Sequence, residues 1–145
     1  MSRLIGSGVS EMIDVAHIGE TTLPLDCEVL QADGGPRTAA ITGAACAIEY
    51  AVEYMLTTTL ISASPIIKKI AAISAGIVES KVLVDLDYEE DSNCETDMNI
   101  VMTEDKQFIE IQGTAEGNPF SQDELNEILT LSSDAIQSIF QITQK

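Results

Sequence analysis

Val82-Leu-Val-Asp-Leu-Asp-Tyr-Glu-Glu-Asp91 runs an apolar strand pattern straight into clustered carboxylates, and Asp97 follows six residues later. A second apolar stretch, 98–103, begins directly after it. Carboxylates crowded between two strands repel one another, so something must offset that cost. A hard cation or a bound substrate would do so, and so would plain solvation of a charged loop. On a strand, Asp85 and Asp87 would share a face. Asp91 and Asp97 would converge if the intervening loop folds back to bring the strand ends together. Such a pair could hold magnesium, which keeps several waters and offers its free side to phosphate oxygens. One carboxylate of the pair could also move a proton.

Outward from this run, 70–78 and 82–87 read as two strands joined through 79–81. Residues 99–103 and 108–112 read as a hairpin around Glu104-Asp-Lys106. Ser121 and Glu124 form a capping box that opens a helix carrying Leu125, Ile128, Leu129, Ile136, Ile139 and Phe140 at spacings of three and four. Toward the N-terminus, residues 3–18 show a loose helical pattern weakened by Gly6 and Gly8. Residues 21–30 alternate, with Leu23, Leu25, Cys27 and Val29 on one face, and predict a half-buried strand with Pro24 marking an edge. A turn at 31–38 leads into a small-residue helix over 39–55, and a Ser/Thr-rich connection runs from 57 to 65. The order is helix, strand, helix, four strands, helix. It predicts an α+β fold in two layers, a mainly antiparallel sheet with helices on one face, as a single domain over 1–145.

Composition narrows the function. The chain of 145 residues has 24 Asp and Glu against 7 Lys and Arg, a net charge of −17. Such a field repels nucleic acid, because phosphate contacts need clustered basic side chains. A nucleic-acid role must then rest on metal ions, a few placed cations or a basic partner. Three widely spaced cysteines show neither a disulfide framework nor zinc spacing and fit a reducing cytoplasm. No apolar stretch reaches the ~18 residues of a membrane span, and the N-terminus is a poor signal peptide.

Gly34-Gly35-Pro36-Arg37-Thr38 lies between a strand pattern and a helix start. Glycines let the backbone approach a ligand, a helix N-terminus presents free N–H groups, and Arg37 adds a forked donor suited to phosphate. A plain turn with a surface arginine is the other reading. Arg3 is the only other arginine in the chain, which favours a role for Arg37. His17 has no ligand partner at metal spacing and reads as a helix-terminal or surface residue. Gly113 to Gly117 reads as a loop, and Tyr50 with Tyr54 as packing residues.

Three segments together resemble the ribonuclease PH family. Val29-Leu-Gln-Ala-Asp-Gly-Gly-Pro-Arg-Thr-Ala-Ala-Ile-Thr-Gly-Ala44 resembles its phosphate-site signature. Leu83-Val-Asp-Leu-Asp-Tyr-Glu-Glu-Asp-Ser92, with Glu95-Thr-Asp-Met-Asn99 and Val101-Met-Thr-Glu-Asp105, resembles its catalytic segment. Ile109-Glu-Ile-Gln-Gly-Thr-Ala-Glu-Gly-Asn-Pro-Phe-Ser121 resembles its last strand and loop. The resemblance implies a phosphorolytic 3′→5′ exoribonuclease, a nucleotidyltransferase of tRNA and rRNA processing. Inorganic phosphate, as co-substrate, attacks the terminal phosphodiester of a tRNA 3′ end and releases a nucleoside diphosphate. It implies Asp91 and Asp97 as the catalytic and Mg2+-binding carboxylates, and Gly35, Arg37 and Thr38 as the phosphate site. It implies a partial fold like the second domain of ribosomal protein S5, a cytoplasmic protein, and a homo-oligomer, hexameric as a trimer of dimers. The expected partner is RNA, with no DNA and no membrane.

Two departures stand out. Pro36 replaces the family's threonine before the arginine, losing a hydroxyl and a backbone N–H. The resemblance also covers only the C-terminal portion, starting inside a helix at Arg3-Leu-Ile-Gly6. The N-terminal portion would supply further strands, a second phosphate-binding arginine and most of the basic RNA surface. Its absence predicts an exposed sheet edge or apolar face, or a complementing N-terminal half. The alternative function is a catalytically impaired paralogue that serves as an assembly subunit.

Overall fold

The computed structural model describes residues 2–18 and 22–143. Helix α1 (Ser2–Met12) is followed by a 3-10 turn at Val15–His17, and helix α2 spans Pro36–Thr57. Strands β1 (Ile70–Val78) and β2 (Lys81–Val84), a short helix α3 (Tyr88–Asn93), strands β3 (Thr96–Thr103) and β4 (Phe108–Ala115), and helix α4 (Gln122–Thr143) complete the chain. The four strands form one antiparallel sheet in the order β2-β1-β3-β4.

The expected α+β class and antiparallel sheet are observed, but the helices cover both faces of the sheet. Side chains alternate between faces along a strand, and both sets of β1 are buried. Ala71, Ile73, Ala75 and Ile77, with Met98, Ile100 and Met102 of β3, pack against Ile128, Ile136 and Phe140 of α4. Ile70, Ala72 and Val101 point the other way, against Ile41, Ala44, Ala45 and Ile48 of α2 and Met12 of α1. A central strand buried on both faces reads as a continuous apolar run. That run carries no period-two signal, so the pattern could not report the second layer.

Local chemistry fixes the ends of these elements. Ser121 and Glu124 form the expected box: the Glu124 N–H donates to Ser121 Oγ at 3.2 Å, and the Ser121 N–H donates to Glu124 Oε2 at 2.7 Å. The Ser121 N–H, and then the Ser121 hydroxyl donating to the same oxygen at 2.7 Å, hold the Glu124 carboxyl below its usual range. The chain leaving α1 is pinned where the Asp14 N–H donates to the Pro65 carbonyl and the Ile67 N–H to the Met12 carbonyl. Strand β2 covers only Ala75 to Val78 of β1. Earlier along that edge, Thr42 of α2 closes the gap, its hydroxyl accepting from the Ala72 N–H at 3.0 Å and lying 3.3 Å from the Ala72 carbonyl.

Four local expectations are corrected. Residues 22–30 form no strand: the segment lies beside helices α1 and α2, where no described strand pairs with it, and of the alternating set only Leu23 is partly buried. Residue 21 lies outside the described residues. Strand β2 stops at Val84, Asp85 takes a left-handed φ of 60°, and Asp87 caps a helix, so the two do not share a strand face. Residues 113–115 continue β4, with Gly113 set beneath Met98, whose Cγ would lie 2.6 Å from any Cβ there. Tyr50 and Tyr54 stand on the outer face of α2, 57% and 64% exposed. His17 is a surface residue as expected, and its Nδ1 sits 2.9 Å from Asp14 Oδ2.

On the inner face of α4, Ser132 is fully buried between Ile128 and Ile136, and its hydroxyl has no hydrogen-bond partner. Removing an unpaired buried hydroxyl relieves its desolvation cost. Ser132→Ala is therefore expected to raise unfolding free energy by about 1 kcal/mol. Urea denaturation at unchanged m-value measures it, and a loss of stability would show that the hydroxyl is satisfied.

Candidate active site

The site begins where the α2 face of the sheet changes character. Residues directly opposite in an antiparallel pair share a face. The apolar pair Ala72–Val101 is followed by Ser74–Asn99 and then Gly76–Asp97. Core gives way to polar floor within two steps along the same two strands. Gly76 is required opposite Asp97 because the space is filled: a Cβ there would meet the Thr96 carbonyl at 2.4 Å.

The acidic run supplies the second wall. Residues 88–93 form α3 rather than a loop, and its N-terminus explains most of the crowded charge. Asp87 Oδ1 accepts the Glu90 N–H at 2.8 Å, and Glu90 Oε2 accepts the Asp87 N–H at 3.0 Å. Glu89, Glu90 and Asp91 occupy the first turn, where the helix end favours negative charge. Solvation and capping thus account for Asp87, Glu89 and Glu90. Asp91 alone of that run joins the pocket.

The third wall is the start of α2. Gly35 takes φ 59°, ψ 37° at the N-cap, and Pro36 opens the helix. A Cβ on Gly35 would lie 2.7 Å from Ser74 Oγ, so this turn sits directly on the sheet floor. Gly34 fits against the acidic segment, where a Cβ would lie 1.8 Å from the Leu86 carbonyl oxygen. Asp33 Oδ1 accepts the Tyr88 N–H at 2.8 Å and ties the turn to α3. The Leu86 N–H in turn donates to Ser74 Oγ at 3.1 Å.

These three walls enclose a pocket of about 190 Å³ lined by Gly35, Pro36, Arg37, Ser74, Asp91, Asp97 and Asn99. It is too small for a drug-sized ligand and fits a small anion with a hydrated cation. Four of the expected site residues, Gly35, Arg37, Asp91 and Asp97, therefore meet here. Thr38 does not line the pocket: it is buried, and its hydroxyl donates to the Gly35 carbonyl at 2.8 Å. It can offer a ligand only its backbone N–H, which with that of Arg37 is left without an intrahelical partner at a helix start. Pro36 contributes none, and the Ala39 N–H is taken by the Gly35 carbonyl. Sequence reading missed Asn99, Ser74 and Asp33. Their signal lay in the strand register and in the turn's fit, neither of which spacing reveals.

The electrostatics are those of an undercompensated pair. Burial, then the Asp91 charge, pushes the Asp97 carboxyl above its ordinary range, and Arg37 offsets only part of this. Burial, then the charges of Asp97 and Asp91, likewise raises the neighbouring Cys94 thiol. Among the described residues no three His, Cys, Asp or Glu side chains cluster as a metal cage. Two carboxylates and open space fit magnesium, which retains most of its waters, better than they fit a fully protein-ligated metal.

The pocket and fold define a two-carboxylate, one-arginine site on an α+β scaffold, and known proteins share that scaffold. Residues 69–135 match the 3′ exoribonuclease family, domain 2. That segment is similar to the second, C-terminal domain of this family, and the match covers a little under half of the chain. Among solved structures, the chain is similar to the Archaeoglobus fulgidus exosome with RNA bound to the active site, at 19% identity and TM-score 0.73, covering 98% of this chain and 59% of that one. It is similar to an archaeal exosome core at 19% identity and TM-score 0.74, covering 99% and 62%. It is also similar to rice (Oryza sativa) Rrp46 at 16% identity and TM-score 0.65, covering 99% and 64%. The chain thus spans about three-fifths of the length of each. At these identities the likeness is one of fold.

A carboxyl whose folded pKa is raised favours folding while protonated. Its contribution is lost as pH climbs from the unfolded value, 3.8, through the raised folded one. Asp97 therefore weighs against the fold at neutral pH. Without divalent cation, Asp97→Asn is expected to raise the thermal midpoint at pH 7, with the gain shrinking as pH falls toward 4. A midpoint at or below wild type at pH 7 would contradict this account of Asp97.

Proposed function

We propose that the chain carries the carboxylate half of a phosphorolytic 3′→5′ exoribonuclease site, acting on RNA 3′ ends such as those of tRNA. The observation that carries this reading is the meeting of Arg37, Asp91 and Asp97, from three separate segments, in one small pocket. The domain family and the fold of the RNA-bound exosome relative support it.

In this reading Arg37 and the adjacent helix-start N–H groups hold inorganic phosphate and aim it at the terminal phosphorus. Asp91 and Asp97 hold Mg2+, which when bound neutralises charge on the phosphoryl oxygens. The phosphate oxygen bonds to phosphorus as the bond to the preceding nucleotide's 3′ oxygen breaks, releasing a nucleoside diphosphate. Such a reaction needs in-line positioning and charge neutralisation more than covalent help.

A second reading, an assembly subunit, draws on a different observation. Val9, Ile13, Ile18, Leu23, Leu25 and Ile48 line an apolar groove of about 400 Å³ between α1, α2 and the extended segment. Leu30 nearby is 90% exposed. An apolar face of this kind suits a protein interface. Homo-oligomerisation, a complementing polypeptide and a cytoplasmic setting belong to the same proposal.

The test is release of nucleoside diphosphate from a 3′-tailed tRNA with phosphate and magnesium, with the chain alone and beside a supplied N-terminal half of the family fold. Asp91→Ala is expected to abolish release, and Arg37→Ala to raise the phosphate requirement by at least about tenfold, the loss of a charge-assisted contact. No release under either condition would leave the assembly reading standing.

A further inference from the structure

We propose that Asn99 is a ligand-contacting residue of this pocket, its side-chain amide donating to a phosphoryl oxygen; the inference rests on the phosphate-and-magnesium reading above. Asn99 is only 7% exposed, lines the pocket, and its amide makes no hydrogen bond to a described residue. The amide is not sealed in the core, since the fully buried unpartnered side-chain atoms of the described residues belong to Thr96 and Ser132, so it opens onto the pocket with its hydrogen-bonding capacity unused. A pocket wall is where the missing partner would be a ligand.

Position within the pocket selects the anion over the cation. Asn99 is the register partner of Ser74, and Ser74 lies directly under Gly35 at the start of α2. Asp97 is one pair further along, opposite Gly76. The amide therefore stands at the end of the pocket formed by the helix N-terminus, where an anion is favoured. Ser74 Oγ already accepts the Leu86 N–H, which fixes it as a neighbour. Asn99 is the polar floor residue with nothing else to do. Being neutral, it adds a donor without adding to the charge of Asp91 and Asp97.

The test uses the full chain and two titrations by calorimetry: Mg2+ alone, then inorganic phosphate at saturating Mg2+. Asn99→Ala is expected to weaken phosphate binding about tenfold while leaving Mg2+ affinity unchanged. Asn99→Asp, equal in shape, is expected to weaken phosphate more and to tighten Mg2+, because it adds a third carboxylate beside the pair. Thermal unfolding of each variant confirms that it is folded, and the isosteric Asp variant carries the test if the Ala variant is not. Phosphate binding within about twofold of wild type in both variants would overturn the inference while leaving the site's function intact. Loss of Mg2+ affinity in Asn99→Ala would also overturn it, by assigning the amide to the cation. A wild-type chain that binds neither ligand would instead sink the underlying reading.

Discussion

The contact on which the site depends is the fit of the 33–35 turn against residues 86–88. Gly34 approaches the Leu86 carbonyl so closely that no side chain could stand between them, and Asp33 holds the Tyr88 N–H. Two segments some fifty residues apart in sequence are thereby pressed together. Without that contact, Arg37 would stand at the start of α2 apart from the acidic segment, and Asp91 would sit in a solvated acidic turn. With it, the guanidinium is close enough to act on the Asp97 carboxyl, although the described residues form no direct ion pair with it. Backbone packing, rather than attraction between charges, assembles the charged groups.

The sheet makes a complementary contribution. Its two faces are each covered by helix, yet on the α2 side coverage ends within a few residues along β1 and β3. Ala72 and Val101 are core, whereas Ser74, Asn99 and Asp97 are floor. A rigid, doubly buried strand pair thus extends past the core and carries functional side chains on ordered backbone. Sites built on strands hold their geometry better than sites built on loops.

Much of this was legible in the sequence and some was not. The four strands of the sheet, the long helices either side of them in the chain, the Ser121–Glu124 cap, the hairpin at 104–106 and the meeting of Arg37 with Asp91 and Asp97 were all readable, because each rests on local chemistry or on a long ordered motif. The 22–30 strand failed because alternation reports a face and not a pairing partner, and the segment lies against helices rather than beside a described strand. The second helical layer was hidden because a strand buried on both sides shows no alternation. Helix α3 was missed because its six residues, Tyr-Glu-Glu-Asp-Ser-Asn, carry no apolar period and are held by the Asp87 cap. Asn99 was passed over because an asparagine on an apolar strand has no signature until register sets it beside Ser74.

The hydroxyl of Thr42 has a consequence beyond closing a strand edge. By accepting the Ala72 N–H beside the Ala72 carbonyl, it gives α2 a directional contact with the strand, which resists rotation of the helix about its own axis. A helix resting only on alanines and aliphatic side chains could roll a few degrees at little cost. Arg37 lies five positions earlier on the same cylinder, so any roll would swing its side chain away from the pocket. A residue that does not line the pocket therefore helps to set the bearing of Arg37.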